Sequence, residues 1–481
     1  MRTNGILMAI SSLPSKYGIG DFGKSAYTFV DLIKRANIKI WQMLPLNPTG
    51  FGNSPYQSTC GFALDPIYID LEQLEKEGLI KSLKPFNEKR KVVEYDKVRA
   101  HKDKYLNEAF EKQEDTKSPS FKKFIKENPW VIDYAHFTVL LKKNNYRDWY
   151  FWPKEERYAH YENKFDFSSY EKQILFIEWC QFIAFKQFLK LKKYANKAGI
   201  EIMGDIPFYV GASSSDAWSN QDEFLLDEND YPDGIAGVPP DYFSKDGQRW
   251  GNLLYDWKYM KDDGFTFWTN RIEIQAKLYD WIRIDHFRAF DTYWNIDPKC
   301  PTAIEGKWEH AFGDEFFNQF LSSHKDIKIV AEDLGDLFPS VLELRDKYNL
   351  PGMNVLEFSI FDSKSEMVEN QVIYTGTHDN DTLVGWLDKL TEQEKELLKI
   401  LLKKSGVKGR SQKEKMINTV FGSPCKIAIL PIQDYLGLDS KARMNVPGTC
   451  GEQNWAFRLV NFNDFEKVIP YIKELNKKFD R

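Results

Sequence analysis

Eight short apolar runs, each giving way to polar or Gly/Pro-rich residues, constrain the fold of this chain more than any other feature. They are ILMAISSLP (6–14), IKIWQMLPLN (38–47), GIEIMGDIPFYV (199–210), WIRIDHF (281–287), IKIVAEDLG (327–335), NVLEFSI (354–360), VIYTGTHD (372–379) and KIAILPIQDY (426–435). Near-continuous hydrophobicity over so few residues is what a strand covered on both faces requires, as in parallel sheets. Helical patterns separate several of the runs. KSAYTFVDLIKRAN (24–37) sets Ala26, Phe29, Val30 and Ile33 at helical spacing, and ILFIEWCQFIAFKQFLKLKKYANKAG (174–199) closes on Lys-rich turns and Gly199. Eight strands with intervening helices match a (β/α)8 TIM barrel, although a doubly wound open sheet holds the same elements.

The spacing of the runs is uneven. About 150 residues separate the second from the third and about 70 the third from the fourth, where a βα unit needs only about 30. The expected organisation is a barrel over 1–64 and 196–481 with two insertions. A Lys/Glu-rich, mainly helical subdomain spans 65–195, and a loop-rich one, rich in Gly, Pro, Asp and Trp, spans 211–270 and covers the active site. Only 43 residues follow position 438, too few for a β-sandwich of about 100. With 66 basic against 71 acidic side chains the net charge is −5, which excludes a chain-wide nucleic-acid footprint. No apolar run approaches the length of a membrane span or of a secretory core, so the expected compartment is the cytoplasm. The five cysteines are odd in number and none is in CxxC spacing, which disfavours a disulfide framework or a structural zinc site.

The runs carry their chemistry at their ends. Asp205 closes GIEIMGD, Asp285 closes WIRID, Glu332 closes IKIVAE, and Asp379 follows VIYTG in TGTHDND. An acid buried at the end of an apolar strand costs several kcal/mol unless it is paired or used. Four converging on the C-terminal rim of one barrel, where catalytic groups of this fold sit, are hard to treat as structural. Two carboxyls are the minimum equipment for glycosidic-bond chemistry, one to attack or activate water and one to protonate the leaving oxygen. Arg283 precedes Asp285 by two, so both face one side of a strand, where the guanidinium would orient and ionise the acid. His286 and His378 adjoin acids, as donors to sugar hydroxyls would.

Other motifs carry less. DENDYPDG (227–234) has calcium-loop composition, but Tyr occupies the third ligand position and no Glu follows where one is required, leaving an acidic turn. No HxxxH or HExxH accompanies the acids, so no metal and no cofactor is expected. Gly18, Gly20 and Gly23 spell GxGxxG, yet four residues separate them from the strand and the next strand ends in LPLN without an acid. Turn glycines fit better than a dinucleotide site.

The motifs together resemble the amylomaltases, the 4-α-glucanotransferases or disproportionating enzymes of the α-amylase clan. The resemblance runs through SSLPSKYGIGDFG (11–23), WQMLPLNPTGFGNSPYQS (41–58), GDIPFYVGASSSDAW (204–218), GVPPDYFSKDGQRWGNLLYDW (237–257), RIDHFRAF (283–290), AEDLG (331–335), HDND (378–381) and GEQNWAFRL (451–459). It implies that Asp285 is the nucleophile and Glu332 the general acid/base. It further implies that Asp379 holds the 2- and 3-hydroxyls of the sugar at the cleavage point, beside His378. On the same footing Arg283 supports the nucleophile, Tyr56 stacks on the bound glucose, and Asp205 is the acid of the clan's first conserved region. Asp241 and Tyr242, with Pro239 and Pro240, resemble a loop arching over the acceptor side. Trp250 and Asn454 complete the residues assigned to the glucan. The implied partners are maltooligosaccharides, glucose and α-1,4-glucan chains, with no nucleic acid and no membrane. The implied reaction is retaining transfer through a covalent glycosyl-enzyme. An amylase-type hydrolase on the same carboxyls is the alternative, because water and a sugar hydroxyl are the same kind of nucleophile.

Overall fold

The computed structural model describes residues 2–481 apart from 163–164, 241–243 and 336, and apart from the side chain of Phe51. Among the described residues the strands are β1 (Thr3–Leu7), β2 (Ile40–Gln42), β3 (Glu201–Ile206), β4 (Ile235–Val238), β5 (Gln248–Leu253), β6 (Trp281–Ile284), β7 (Thr292–Ile296), β8 (Lys307–His310), β9 (Lys328–Ala331), β10 (Gly352–Val355), β11 (Gln371–Tyr374) and β12 (Ile427–Pro431). Eight of them, in the order β10-β11-β12-β1-β2-β3-β6-β9, form one wholly parallel sheet. The sheet curls into a nearly closed barrel with helices around it, a (β/α)8 TIM barrel.

Closure falls between β9 and β10, which share no ladder. Ala331 N donates to Pro351 O at 2.8 Å, and the Asp333 carboxylate takes Met353 N at 2.6 Å and the Arg345 guanidinium. The two end strands are thus stapled by one backbone bond and one side chain.

Every strand is shorter than its apolar run. A parallel strand of three to six residues spans the barrel wall, and the apolar residues beyond it pack the loops above the C-terminal rim. NVLEFSI departs most from expectation: the strand stops at Val355 and Leu356–Ser359 turns helical, burying Leu356 and Glu357. Between β2 and β3 the chain is mainly helical, with Tyr95–Phe110, Trp130–Lys143 and Glu171–Lys197 the longest pieces. The last of these packs on β3 and on the helix Lys24–Arg35, and Gly199 takes φ +81° while Ile200 N reaches back to Ala195 O at 3.0 Å, the left-handed exit that glycine makes cheap.

The segment 211–270, expected as loops, contains β4 and β5. They join β7 and β8 in an antiparallel sheet ordered β5-β4-β7-β8 above the barrel. IAGV is too short and QRWGNL too polar to read as strands, and each contains a glycine. Gly237 is what lets β4 and β5 approach, since a Cβ there would lie 2.2 Å from Gln248 O. The GxGxxG run is likewise a packing device, for a Cβ on Gly20 would lie 1.9 Å from Ile10 O. After β12 the longest element is the helix Asn463–Phe479, which packs against Lys24–Arg35. No strand follows β12 among the described residues. Among them, too, no helix is long and apolar enough to cross a membrane.

Candidate active site

Register decides which side chains meet. β6 pairs with β9 so that Arg283 faces Val330 and Ile284 faces Ala331. The next residues, Asp285 and Glu332, therefore leave adjacent strand ends side by side. The ladder continues through them: Glu332 N donates to Ile284 O at 3.0 Å and Phe287 N to Glu332 O at 3.0 Å. Neighbouring strands lie about 4.8 Å apart, which sets the two carboxyls next to each other on one rim.

On the other side, β3 pairs with β6 so that Asp205 faces Arg283. Arg283 Nη1 contacts both Asp205 oxygens at 2.7 and 2.8 Å and Asp285 Oδ1 at 3.0 Å. Its Nε donates to Met353 Sδ at 3.4 Å, so the guanidinium is anchored by β3 and β10 and aimed along β6. The i, i+2 relation of Arg283 and Asp285 read from the sequence is the one observed. Tyr56 OH donates to Asp205 Oδ2 at 2.7 Å. Its ring stacks on His378, with centroids 5.1 Å apart and planes at 10°, and lies 5.7 Å from Trp455. Asp379 receives Asn445 Nδ2 on Oδ1 at 2.7 Å and lies 3.5 Å from His378 Nε2 through Oδ2.

Exposure separates the acids by task. The Asp285 and Asp379 side chains are 30% and 46% exposed, open to the cleft, whereas Asp205 is 0% exposed. Asp205, expected to bind substrate, is a buried group that holds Arg283 and Tyr56. Asn454, also expected at the glucan, is buried. Its Oδ1 accepts Val446 N at 3.1 Å and its Nδ2 donates to Thr449 O at 3.0 Å, so the amide braces its own loop. Trp250 stands at the cleft edge, its ring 4.9 Å from that of His286. Asp241 and Tyr242 lie outside the described residues.

Burial pushes the Asp285 carboxyl well above its ordinary range and raises that of Glu332; the Arg283 guanidinium pulls back on both. The expectation that Arg283 would depress Asp285 outright is corrected: desolvation outweighs it. The guanidinium meets the two acids differently. It touches Asp285, while among the described residues no cation is in ion-pair contact with Glu332. Glu332 Oε2 and Oε1 accept His286 N at 2.7 Å and Leu334 N at 3.2 Å, two donors that orient the carboxyl and oppose the rise that burial causes. His286 holds a left-handed backbone (φ +52°) to direct that N–H, and burial drives its imidazole down to about 3, so it stays neutral. Burial also lowers the His378 imidazole, against the pull of Asp379.

Two acids at adjacent strand ends, one paired with a guanidinium and one not, match the division of labour that retaining glycosidic chemistry needs. The sequence pattern of the 4-alpha-glucanotransferase family matches residues 8–463. The chain belongs to that family. It is 39% identical over 480 residues to the 4-alpha-glucanotransferase of Thermus thermophilus, covering 95% of each chain. It is 37% identical to the chloroplastic/amyloplastic 4-alpha-glucanotransferase of Solanum tuberosum, covering 98% of this chain and 85% of the other. The solved amylomaltase of Streptococcus agalactiae in complex with acarbose superposes with a TM-score of 0.92 at 33% identity over the full length of both chains.

Some members of this 4-alpha-glucanotransferase site escaped sequence reasoning. Glu357 ends NVLE as the other acids end their runs, but the continuing FSI hides it; it is buried, near Asp434 and Asp381. Arg443 and Asn445 come from a Pro/Gly-rich loop with no periodic signal, and Trp455 sat inside a recognised motif without an assigned role.

Proposed function

We infer that Asp285 and Glu332 are the nucleophile and the general acid/base of retaining α-1,4-glucan transfer, with Asp379 the carboxylate that holds the sugar at the cleavage point. The observation that carries this assignment is the β6–β9 register, which sets the two acids at adjacent strand ends with Arg283 on one of them.

In the first half-reaction an Asp285 oxygen bonds to the anomeric carbon as the bond to the glycosidic oxygen breaks. Glu332 gives that oxygen its proton, and the reducing-end fragment departs as an alcohol. In the second half Glu332, now a carboxylate, takes the proton of an incoming 4-hydroxyl. Its oxygen bonds to the anomeric carbon and the ester to Asp285 breaks. One residue serving as acid and then base follows from microscopic reversibility. Ring stacking by Tyr56, braced on His378 and Trp455, presents an aromatic face to the sugar. The donors and acceptors are maltooligosaccharides and longer α-1,4-glucans, with glucose as the smallest acceptor.

Incubation with maltotriose tests this. Transfer yields glucose together with a ladder of longer maltodextrins while the total of reducing ends stays nearly constant. Glucose and maltose accumulating without longer products, with reducing ends rising steadily, would show hydrolysis instead.

A further inference from the structure

Asp379 projects from the loop after β11 into an open part of the cleft, and among the described residues no guanidinium is in contact with its carboxylate. The loop 443–446, which follows β12, supplies the grip. Asn445 N donates to His378 O at 3.1 Å and Arg443 Nη2 to Asp379 O at 2.6 Å, while Arg443 Nε donates to Asn445 O at 2.7 Å. All three contacts are to backbone carbonyls; the first two tie the two loops together and the third braces the loop 443–446 itself. The Asn445 side chain does something separate: its amide nitrogen reaches the carboxylate of Asp379 itself, Nδ2 to Oδ1 at 2.7 Å. The other oxygen, Oδ2, faces His378 Nε2. One oxygen is thus fixed by a donor that cannot ionise, and the carboxylate plane is set by two contacts from two loops.

We propose that Asn445 is a positioning residue for the transfer reaction, orienting the Asp379 carboxylate through a neutral amide donor. The proposal rests on the role given above to Asp379. An amide suits the place. The groups facing Asp379 are His378, held neutral by burial, the Arg443 guanidinium on its carbonyl, and, through space, Asp285 and the Tyr56 phenol. A carboxyl in place of the amide would sit at hydrogen-bond distance from Asp379, and two such carboxyls share one proton because both cannot ionise cheaply. With one shared proton the contact survives as O–H···O⁻. Once that proton leaves, two anions repel and Asp379 turns away.

Asn445→Asp and Asn445→Ala, compared with wild type and with Asp379→Asn, test this on the full-length protein with maltotriose. A hydrogen bond to an ionised group, once lost, lowers rates by about 10- to 100-fold. Asn445→Ala should show that loss in kcat, with KM within about threefold and the thermal midpoint little changed, since the backbone contacts of the loop remain. Asn445→Asp should approach wild type at low pH and fall relative to it, by up to about tenfold per pH unit, as the shared proton is lost. A merely structural asparagine gives no such pH-dependent ratio. If Asp379→Asn is inactive while both Asn445 variants stay within threefold of wild type at every pH, the inference is overturned. Should Asp379→Asn itself remain active, the role of Asp379 fails first, and this inference with it.

Discussion

Replacing Arg283 with Met would remove the guanidinium that the carboxyls share. Two effects are separable. The Asp205–Arg283 pair is closed to solvent, with side chains 0% and 5% exposed, and breaking a buried pair from one side costs about 3–5 kcal/mol of stability. The effect on the reaction is set by Asp285, 3.0 Å from the same nitrogen but 30% exposed. That ion pair is partly screened by solvent. The guanidinium lowers both Asp285 and Glu332, so its removal lets both rise. The nucleophile must be ionised, so the acid-side limb of the pH–rate profile moves to higher pH. The acid must be protonated, so the alkaline limb moves the same way, but less, because Glu332 has no direct contact to lose. The profile should narrow and shift upward. Lost orientation of Asp285 adds about 10²-fold, giving a fall of about 10²- to 10³-fold in kcat/KM at neutral pH. Initial glucose release from maltotriose across pH 4–9, run beside thermal unfolding, reads both effects. Arg283→Lys guards against a folding failure: it keeps the charge but lacks the contact to Met353, so its limbs should stay near wild type while its rate falls. Unmoved limbs in Arg283→Met, or a rate within tenfold of wild type, would refute the reasoning.

Two further outcomes are expected. Asp285→Asn should lower turnover by about 10⁴-fold or more, as nucleophile removal does elsewhere; measurable activity within tenfold of wild type excludes the assigned role. Burial raises Glu178, on the helix Glu171–Lys197, to about 7. An acid whose folded value exceeds its unfolded one stabilises below the unfolded value, near 4, and loses that contribution as pH climbs through about 7. Glu178→Gln should therefore add about 1 kcal/mol, after discounting for partial exposure, at pH 8 and nothing at pH 4. Thermal midpoints at the two pH values check the sign, and equal shifts at both would contradict it.

The barrel was legible because each of its strands is covered on both faces, so its residues are apolar without alternation and the runs announce themselves. The catalytic acids were legible for the converse reason: Asp285 and Glu332 end apolar strands, where a charge is conspicuous. What such a charge faces is a property of register, not of sequence. Asp205 and Asp285 carry the same signal, yet one is sealed behind Arg283 and the other opens to the cleft. The antiparallel sheet of β4, β5, β7 and β8 was illegible because close backbone approach replaces apolar side chains there, with Gly237 as the instance. Asn445 and Arg443 were illegible because they lie in a loop whose contacts join positions more than 60 residues apart.

The staple between β9 and β10 gives the ring a preferred place to yield. Asp285 and Glu332 stand on β6 and β9, which are laddered to each other on the same side of that gap. Asp379 follows β11, beyond β10 on the far side. A breathing motion at the clasp would widen the mouth against Asp379 while the reacting pair travels together, so the vessel is free to flex for a bulky polymer without loosening the two groups that must stay in step. Amide exchange would report it first at Ala331 and Met353, the two hydrogen bonds of the clasp.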